Sequence, residues 1–268
     1  MNKPKALILN NICTTPNYYN TWQTQLYICN NNGPVAQREN MTEENIFGNK
    51  KGQGWINFFE DIRNNLVFVL DDMWDVPKDN NNDYFGSLVL DKEKFPSFAG
   101  EGVSNQQALL NLSQKVKEYG WKGLGCWICA QESPIYSKGK SVEEYWKQRI
   151  IEADNAGILY WKVDWGTRDK DYSLSHKYAK NLIIENAMTI DNLSVTDVYR
   201  SYDVMSIMSI PMTMEKLKEL LQNDAENDYM GLVNCEDEMY IAAALGLTIG
   251  VQRHPMVGSL PNNNPDCA

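Results

Sequence analysis

The chain has 268 residues, 43% of them hydrophobic, which is enough apolar material for one large domain core. Its formal net charge of −10 argues against a nucleic-acid partner, because proteins that bind phosphates present a basic face to them. No apolar run reaches the roughly 18 residues of a membrane helix, so we expect no membrane partner. The apolar patch at residues 6–9 is too short for a signal peptide. We therefore expect either a cytoplasmic protein or a fragment of an exported one whose true start lies upstream.

Six cysteines and two histidines limit the metal and redox chemistry that this chain can support. The cysteines are scattered, which is not the pattern of a disulfide framework. Cys126 and Cys129 have the spacing of a metal or redox pair, but residues three apart in a strand-like run face opposite sides of a sheet. Two histidines give little support for a histidine-rich metal site or a serine–histidine triad. We therefore expect carboxylates to carry any chemistry, with no metal and no cofactor.

The first part of the chain predicts one strand and one helical region after a lead-in segment, residues 1–19. Residues 20–28 are rich in β-favouring side chains and are predicted as the first strand, with Trp22 near its functional end. A capping motif at Thr42 opens a helical region. Large apolar residues then recur at helical spacing and predict a packing stripe that consists of Trp55, Phe58, Phe59 and Ile62.

Residues 66–70 form a continuous apolar run that ends directly in Asp71 and Asp72. A strand with apolar residues on both faces is typical of a parallel sheet. Because α/β proteins bind ligands at the carboxyl ends of their strands, these two acids are candidate binding residues. The alternative for Asp72 is an N-cap or an ordinary loop acid.

Residues 158–166 are predicted as a buried strand that follows a helix with a capping box at Ser141. Because strand side chains alternate, Tyr160, Lys162 and Asp164 share one face. The opposite face then carries Leu159, Trp161, Val163 and Trp165. Burying a lysine and an aspartate costs free energy unless the charges meet each other or a ligand. The stretch predicts either a structural ion pair or a ligand site.

Helical and strand patterns alternate through the rest of the chain. Helices are predicted at 105–119, 141–156, 174–180, 214–222 and in an alanine-rich segment after residue 238, and strands at 123–130, 158–166, 182–186, 195–199, 230–233 and 247–252. With the two earlier strands, this pattern is the signature of repeated βα units, and eight such units occupy about 250 residues. We predict a single α/β domain over residues 1–268, a (β/α)8 TIM barrel, with a loose tail at 259–268 and a last helix that is missing or very short.

Acidic or lysine–aspartate groups follow five of the predicted strands. They are Asp71 with Asp72, Lys162 with Asp164, Glu185, Asp203, and Glu236 with Asp237. In a barrel these ends meet in one cup at the carboxyl face. Carboxylates between tryptophan walls suit glycoside hydrolysis, in which one acid protonates the leaving oxygen and one carboxylate attacks or stabilises the sugar cation. We expect Lys162 to lower the pKa of Asp164 and keep it ionised.

The order of these residues resembles glycoside hydrolase clan D, the melibiase-type α-galactosidases of families 27 and 36. The matching motifs are Trp22, Asp71-Asp72, Phe95-Pro, Glu144-Tyr-Trp, Lys162-Val-Asp-Trp-Gly, Glu185 and Arg200-x-x-Asp203. The resemblance implies a barrel that cleaves terminal α-linked galactose-type sugars with retention, with Asp164 as the nucleophile and Asp203 as the acid/base. It also implies that the sugar is bound by Trp22, Asp71, Asp72, Lys162, Glu185 and Arg200.

The chain departs from the family pattern in three places. The family has glycine after the aspartate pair, where this chain has Met73, which would narrow the site. The spacing from Arg200 to Asp203 is one residue shorter than in many members, so Asp197 is an alternative acid/base. The C-terminal β-domain of the family has no counterpart within these residues.

Two other function classes remain open. One is a non-catalytic carbohydrate-binding barrel that keeps the cup without the protonation chemistry. The other is a Mg²⁺-dependent lyase or isomerase barrel, because oxygen ligands suit Mg²⁺ and several strand ends offer them. Its candidate ligands are Asp72, Asp164, Glu185 and Glu236. The resemblance implies a carbohydrate substrate as the partner, and the sequence does not indicate the oligomeric state.

Overall fold

The computed structural model describes residues 15–28, 34–48, 54–78, 82–166, 174–186, 196–201, 209–223, 231–234 and 239–252. Eight parallel strands form a closed barrel in chain order, each paired with the next and the last with the first. They are β1 (Asn17–Asn20), β2 (Leu66–Leu70), β3 (Gly123–Ile128), β4 (Ile158–Val163), β5 (Ile183–Asn186), β6 (Val198–Arg200), β7 (Gly231–Asn234) and β8 (Thr248–Val251). The prediction of a (β/α)8 barrel is confirmed.

The helices of the described residues lie in the connections between strands. They are α1 (Trp22–Ile28), α2 (Pro34–Glu39), α3 (Glu43–Phe47), α4 (Asn105–Glu118), α5 (Pro134–Ser137), α6 (Val142–Asn155), α7 (Ser175–Tyr178), α8 (Ser209–Asn223) and α9 (Met239–Leu245). The predicted caps are present: Thr42 begins α3, and Ser141 with Glu144 forms the capping box of α6. Within the described residues, none of these helices combines the length and the apolar composition needed to cross a bilayer.

The predicted first strand was wrong. β1 is residues 17–20, and residues 22–28 form α1 instead. The helix begins because the Gln25 amide donates to the Thr21 carbonyl and the Thr21 hydroxyl donates to the Gln25 side chain. The β-favouring composition of this segment was therefore overridden by its tertiary context.

The predicted helical stripe at residues 55–62 was also wrong as a helix. This segment begins as a short 3-10 turn at Trp55–Asn57, and Phe59 adopts a positive φ of 53° that no helix contains. Trp55 and Phe58 are buried as expected, whereas Ile62 is 49% exposed. The apolar residues pack into the core from an irregular segment.

The barrel interior has an apolar layer with a polar layer above it toward the carboxyl end. The apolar layer consists of Tyr18, Val67, Val69, Tyr160, Val198 and Val233, with Ile183 packed against it. Two residues further along five of the strands, the alternation places Asn20, Asp71, Lys162, Glu185 and Arg200, all of which are buried. The spacing of two is the strand period, so each polar side chain stands directly above an apolar one.

The larger apolar cluster fills the space between the outer face of the sheet and the helices. Cys126 belongs to this outer cluster, whereas Cys129 packs at the mouth with Trp127, so the two thiols do face opposite sides as predicted. The alternation predicted for β4 holds from Tyr160 onward. Its pairing with β3 is irregular near the strand start, and Leu159 therefore packs against the inner cluster rather than the outer one.

Candidate functional site

The carboxyl ends of β2 and β4 meet at a buried ion pair. Lys162 Nζ lies 2.7 Å from Asp71 Oδ2, and these side chains are 2% and 3% exposed. Asn20, at the end of β1, donates its side-chain N–H to the same oxygen. The other oxygen of Asp71, Oδ1, accepts the backbone N–H of Asp72 at 2.8 Å. These contacts fix the Asp71 carboxylate in one orientation and hold Lys162 inside the barrel.

Asp164 directly follows β4 and lies beside this ion pair. Trp127 Nε1 donates to its Oδ2 at 2.8 Å, and the backbone N–H of Trp165 donates to Oδ1 at 2.9 Å. Arg200 Nη2, from the end of β6, lies 3.7 Å from Oδ1. The Asp164 side chain is 15% exposed. It is therefore oriented by three neighbours and still reaches solvent.

The surroundings of Asp164 favour its ionised form. Burial alone would raise the pKa of this carboxyl, but the charges of Arg200 and Lys162 and the hydrogen bonds from Trp127 and Trp165 outweigh it and hold the pKa below its ordinary value. The predicted influence of Lys162 is present, and the structure adds Arg200 as the larger of the two. Asp164 is therefore a negatively charged carboxylate near neutral pH.

Arg200 joins Asp164 to a second, deeper carboxylate. Its Nε lies 3.5 Å from Glu185 Oε1, and neither Arg200 nor Glu185 is exposed. Tyr160, in the apolar layer, donates its hydroxyl to Glu185 Oε2 at 2.6 Å. Burial raises the pKa of Glu185, although Arg200 and Tyr160 oppose the effect. The position of Glu185 suits a residue that holds Arg200 in place more than one that touches a ligand.

Asp72 pairs with a different cation from the one that holds Asp71. Arg38 Nε, from α2, lies 2.8 Å from Asp72 Oδ2. Burial raises the pKa of Asp72 to about 7, with Asp71 and Asp75 adding to the effect and Arg38 opposing it. Among the described residues, Asp72 Oδ1 is buried without a hydrogen-bond partner. This oxygen is thus a buried acceptor to which no described residue donates.

The residues after Asp72 form a turn that contacts of Lys94 and Asp75 support. Met73 is buried with a positive φ of 81°, a conformation that glycine adopts without strain, at the position where the resembled family has glycine. Lys94 Nζ donates to the Met73 carbonyl at 2.7 Å and supports this turn. Asp75 is a structural acid of this loop, because its carboxylate accepts the backbone N–H of Leu88 at 2.9 Å.

The structure brings together most of the predicted site residues. Lys162 pairs with Asp71, and Arg200 pairs with both Asp164 and Glu185. Trp22 is the first residue of α1, directly above β1, and its backbone N–H donates to the Asn20 side chain. Three predicted acids lie outside the described residues: Asp203, Glu236 and Asp237.

Asp197, the alternative acid/base, does not share this site. It precedes β6 and therefore lies at the amino end of that strand, opposite to Arg200. Its Oδ2 accepts the backbone N–H of Ile184 at 2.8 Å, and its Oδ1 lies 3.0 Å from His176 Nε2. Asp197 therefore completes the hydrogen bonding at the amino end of the barrel.

Sequence reasoning missed several residues of the site. Asn20 was hidden by the misplaced first strand, since a strand ending at residue 20 would have placed it inward beside Asp71. No sequence pattern indicated that Arg38 belongs to the site, because it lies in a separate helix, α2. Trp165 was assigned to the outer face, but β4 ends at Val163 and its ring packs at the mouth, 5.9 Å from that of Trp127.

The arrangement of the carboxylates bears on metal binding. Within the described part of the chain, no three histidine, cysteine, aspartate or glutamate side chains are placed to hold a metal ion together. The positions between the carboxylates are taken by Lys162, which contacts Asp71, and by Arg200, which lies between Asp164 and Glu185.

Comparison of the chain with models of known protein families and with curated proteins gives no match.

Proposed function

We propose that this chain is a retaining glycoside hydrolase that cleaves terminal α-linked galactose-type sugars. The observation that carries the proposal is Asp164, an ionised and partly exposed carboxylate at the carboxyl end of the barrel. A retaining glycosidase needs such a carboxylate to attack the anomeric carbon. The galactose-type substrate is what the resemblance to clan D implies, and the order of Asp71, Asp72, Lys162 and Asp164 supports it.

The first step breaks the glycosidic bond. An oxygen of Asp164 forms a bond to the anomeric carbon while the bond from that carbon to the leaving oxygen breaks, and a second acid donates a proton to the leaving oxygen. Asp203 has this role in the resemblance. The second step reverses the roles, because water attacks the anomeric carbon, the conjugate base takes its proton, and Asp164 is released as a carboxylate.

The neighbours of Asp164 are suited to these two reaction steps. Its negative charge disappears when the ester forms and returns when it breaks, so Arg200, 3.7 Å away, favours release of the sugar. Trp127 and the Trp165 amide keep the two oxygens in fixed positions. A fixed nucleophile reacts faster, since its orientation is settled before the substrate arrives.

The acids after β2 are suited to sugar hydroxyls. Asp71 and Lys162 present an acceptor and a donor that are already oriented by each other. Asp72 contributes an oxygen that has no protein partner in the described residues. Hydroxyls of a pyranose can donate to these carboxylates and accept from the lysine. The cations at the centre of this group favour sugar binding over the Mg²⁺-dependent alternative.

The test uses Asp164→Ala with an aryl α-galactoside, with and without azide. The variant should lose activity, and azide should restore turnover by occupying the space of the carboxylate, with β-galactosyl azide as the product. Asp91→Ala, a loop acid that accepts backbone N–H groups of Glu93 and Lys94, is a matched control and should remain active. Undiminished activity of Asp164→Ala would reject the proposal. Sugar binding by the wild type without turnover across an aryl-glycoside panel would favour the non-catalytic carbohydrate-binding barrel.

A further inference from the structure

Trp165 differs from the other tryptophans of the described residues in being exposed. Its exposed fraction is 37%, whereas Trp127 and Trp161, its neighbours in space and in sequence, are 2% and 1% exposed. It directly follows Asp164, and its backbone N–H holds that carboxylate. A large aromatic side chain beside a reacting carboxylate, with part of its surface in water, is a candidate contact for a ligand.

The indole of Trp165 is held in place from two sides. Its ring centroid lies 4.8 Å from that of Phe85 at an interplanar angle of 65°, and 5.9 Å from that of Trp127 at 57°. Its backbone carbonyl accepts the Ala130 N–H at 2.8 Å, which fixes the chain to the end of β3. The next residue, Gly166, has a φ of 150°, and a Cβ there would lie 2.6 Å from the Ala130 backbone. A rigid ring loses little conformational entropy when a ligand binds.

Exposure increases along the chain from the barrel interior to this ring. The side chain of Lys162 is 2% exposed, that of Asp164 is 15% exposed, and Trp165 is 37% exposed. A ligand that enters from the carboxyl face therefore meets Trp165 before Asp164 and reaches Lys162 last. A terminal sugar bound against Lys162 and Asp71 would direct its anomeric carbon at Asp164 and its attached group outward, toward Trp165.

We propose that the exposed surface of the Trp165 ring is the subsite for the leaving group, where it stacks on the apolar C–H face of a second pyranose ring joined through the scissile bond. This inference rests on the proposed function, which it extends from the terminal sugar to the class of substrate. The substrate is then an oligosaccharide or a glycoside whose leaving group is a ring, not a small alcohol. Aromatic side chains with a fixed plane and a free face are suited to such stacking.

The kinetic test compares two substrates in the wild type and in Trp165→Ala. One is an α-galactosyl disaccharide, whose leaving group is a sugar ring, and the other is α-galactosyl fluoride, whose leaving group has no ring. The ratio of their kcat/KM values, disaccharide over fluoride, should fall about tenfold in the variant, and Trp165→Phe should recover part of it. Tyr240→Ala, which removes a 91% exposed ring from α9, should leave the ratio unchanged. An equal loss for the two substrates, or no loss for either, would overturn the proposal.

A binding measurement separates this proposal from the proposed function. Calorimetry on Asp164→Asn, which cannot turn over, compares galactose with the galactosyl disaccharide. The disaccharide should bind about tenfold more tightly, and this advantage should vanish in Asp164→Asn/Trp165→Ala. Equal affinities for the two sugars would overturn the leaving-group subsite even if the azide experiment succeeds. If the wild type showed no turnover but bound the disaccharide more tightly than galactose, and lost this advantage in Trp165→Ala, the subsite would stand and only the proposed catalysis would fall.

Discussion

The two ends of the barrel use acids in different ways. At the carboxyl end, Asp164 and Glu185 are held by the guanidinium of Arg200, and Asp71 is held by Lys162. At the amino end, Asp197 accepts a backbone N–H and contacts His176. Buried ion pairs add little net stability, because desolvation of the charges offsets their attraction, whereas a carboxylate on a backbone N–H completes the bonding of the fold. We propose that the paired charges at the carboxyl end serve a ligand, whereas Asp197 at the amino end serves the barrel.

The largest expected effect is on activity, and it distinguishes Asp164 at the carboxyl end from Asp197 at the amino end when each is replaced. Asp164→Asn should lower kcat/KM roughly 10⁴-fold or more, because the nucleophile is lost. Asp197→Ala should lower the free energy of unfolding by about 1 kcal/mol, because the Ile184 N–H loses its acceptor, and should leave kcat/KM within a few-fold. Kinetics on an aryl α-galactoside and urea unfolding measure both quantities. Loss of activity in Asp197→Ala with activity kept in Asp164→Asn would reverse the assignment of the two ends.

The Lys162–Asp71 pair tests whether buried charge at the carboxyl end stabilises the fold. Lys162→Met should destabilise the protein by about 3–5 kcal/mol, because it leaves a buried carboxylate without its cation. The double variant Lys162→Met/Asp71→Asn should recover most of this stability, as followed by urea unfolding, but not the activity. If the double variant remained as unstable as the single one, the pair would be a structural element, and the contrast between the ends would fail.

Asp72 should make the protein less stable as the pH rises. Burial raises the pKa of Asp72 to about 7, so the folded state binds a proton more tightly than the unfolded state, and stability present at low pH is lost as the pH passes from about 4 through 7. Relative to the wild type, Asp72→Asn should therefore gain about 3 kcal/mol between pH 5 and pH 8. The free energy of unfolding at several pH values measures this. A difference that does not change with pH would mean that Asp72 is ionised throughout.

The smallest expected effect is on stability and comes from His176 at the amino end of the barrel. Its pH range differs from that of Asp72. The hydrogen bond to Asp197 raises the pKa of His176, so its stabilising contribution is fully present below about pH 6.5 and is lost as the pH rises through the folded-state pKa. His176 is 49% exposed, and solvent screening should keep the effect below about 1 kcal/mol. His176→Gln should lower the melting temperature at pH 5.5 more than at pH 8. A larger loss at pH 8 would contradict this sign.

Strand periodicity made much of this fold and site predictable. The apolar run of β2 placed Asp71 at the end of a buried strand. The alternation in β4 placed Lys162 and Asp164 on one inner face, because side chains of a strand repeat every two residues. The same rule failed where strands end. β4 stops at Val163, and the turn that follows carries the Trp165 ring to the mouth rather than to the outer face.

Contacts that depend on tertiary placement were beyond reach. Arg38 reaches Asp72 from α2, and no local pattern connects a helical arginine with an acid on a distant strand end. The first strand was misplaced because β-favouring residues at 22–28 form a helix, and this hid the contact of Asn20 with Asp71. The pairing of Arg200 with Glu185 likewise required the closed barrel, which brings β5 and β6 side by side.

The central claim is that Asp164 forms a covalent bond to the substrate. The most direct measurement is to incubate the wild type with 5-fluoro-α-galactosyl fluoride, in which the ring fluorine slows breakdown of the intermediate, and to map the labelled peptide by mass spectrometry. The account predicts one added fluorogalactosyl group on the peptide that contains Asp164. Stoichiometric labelling of another acid, such as Asp203 or Glu185, with Asp164 unmodified would contradict it.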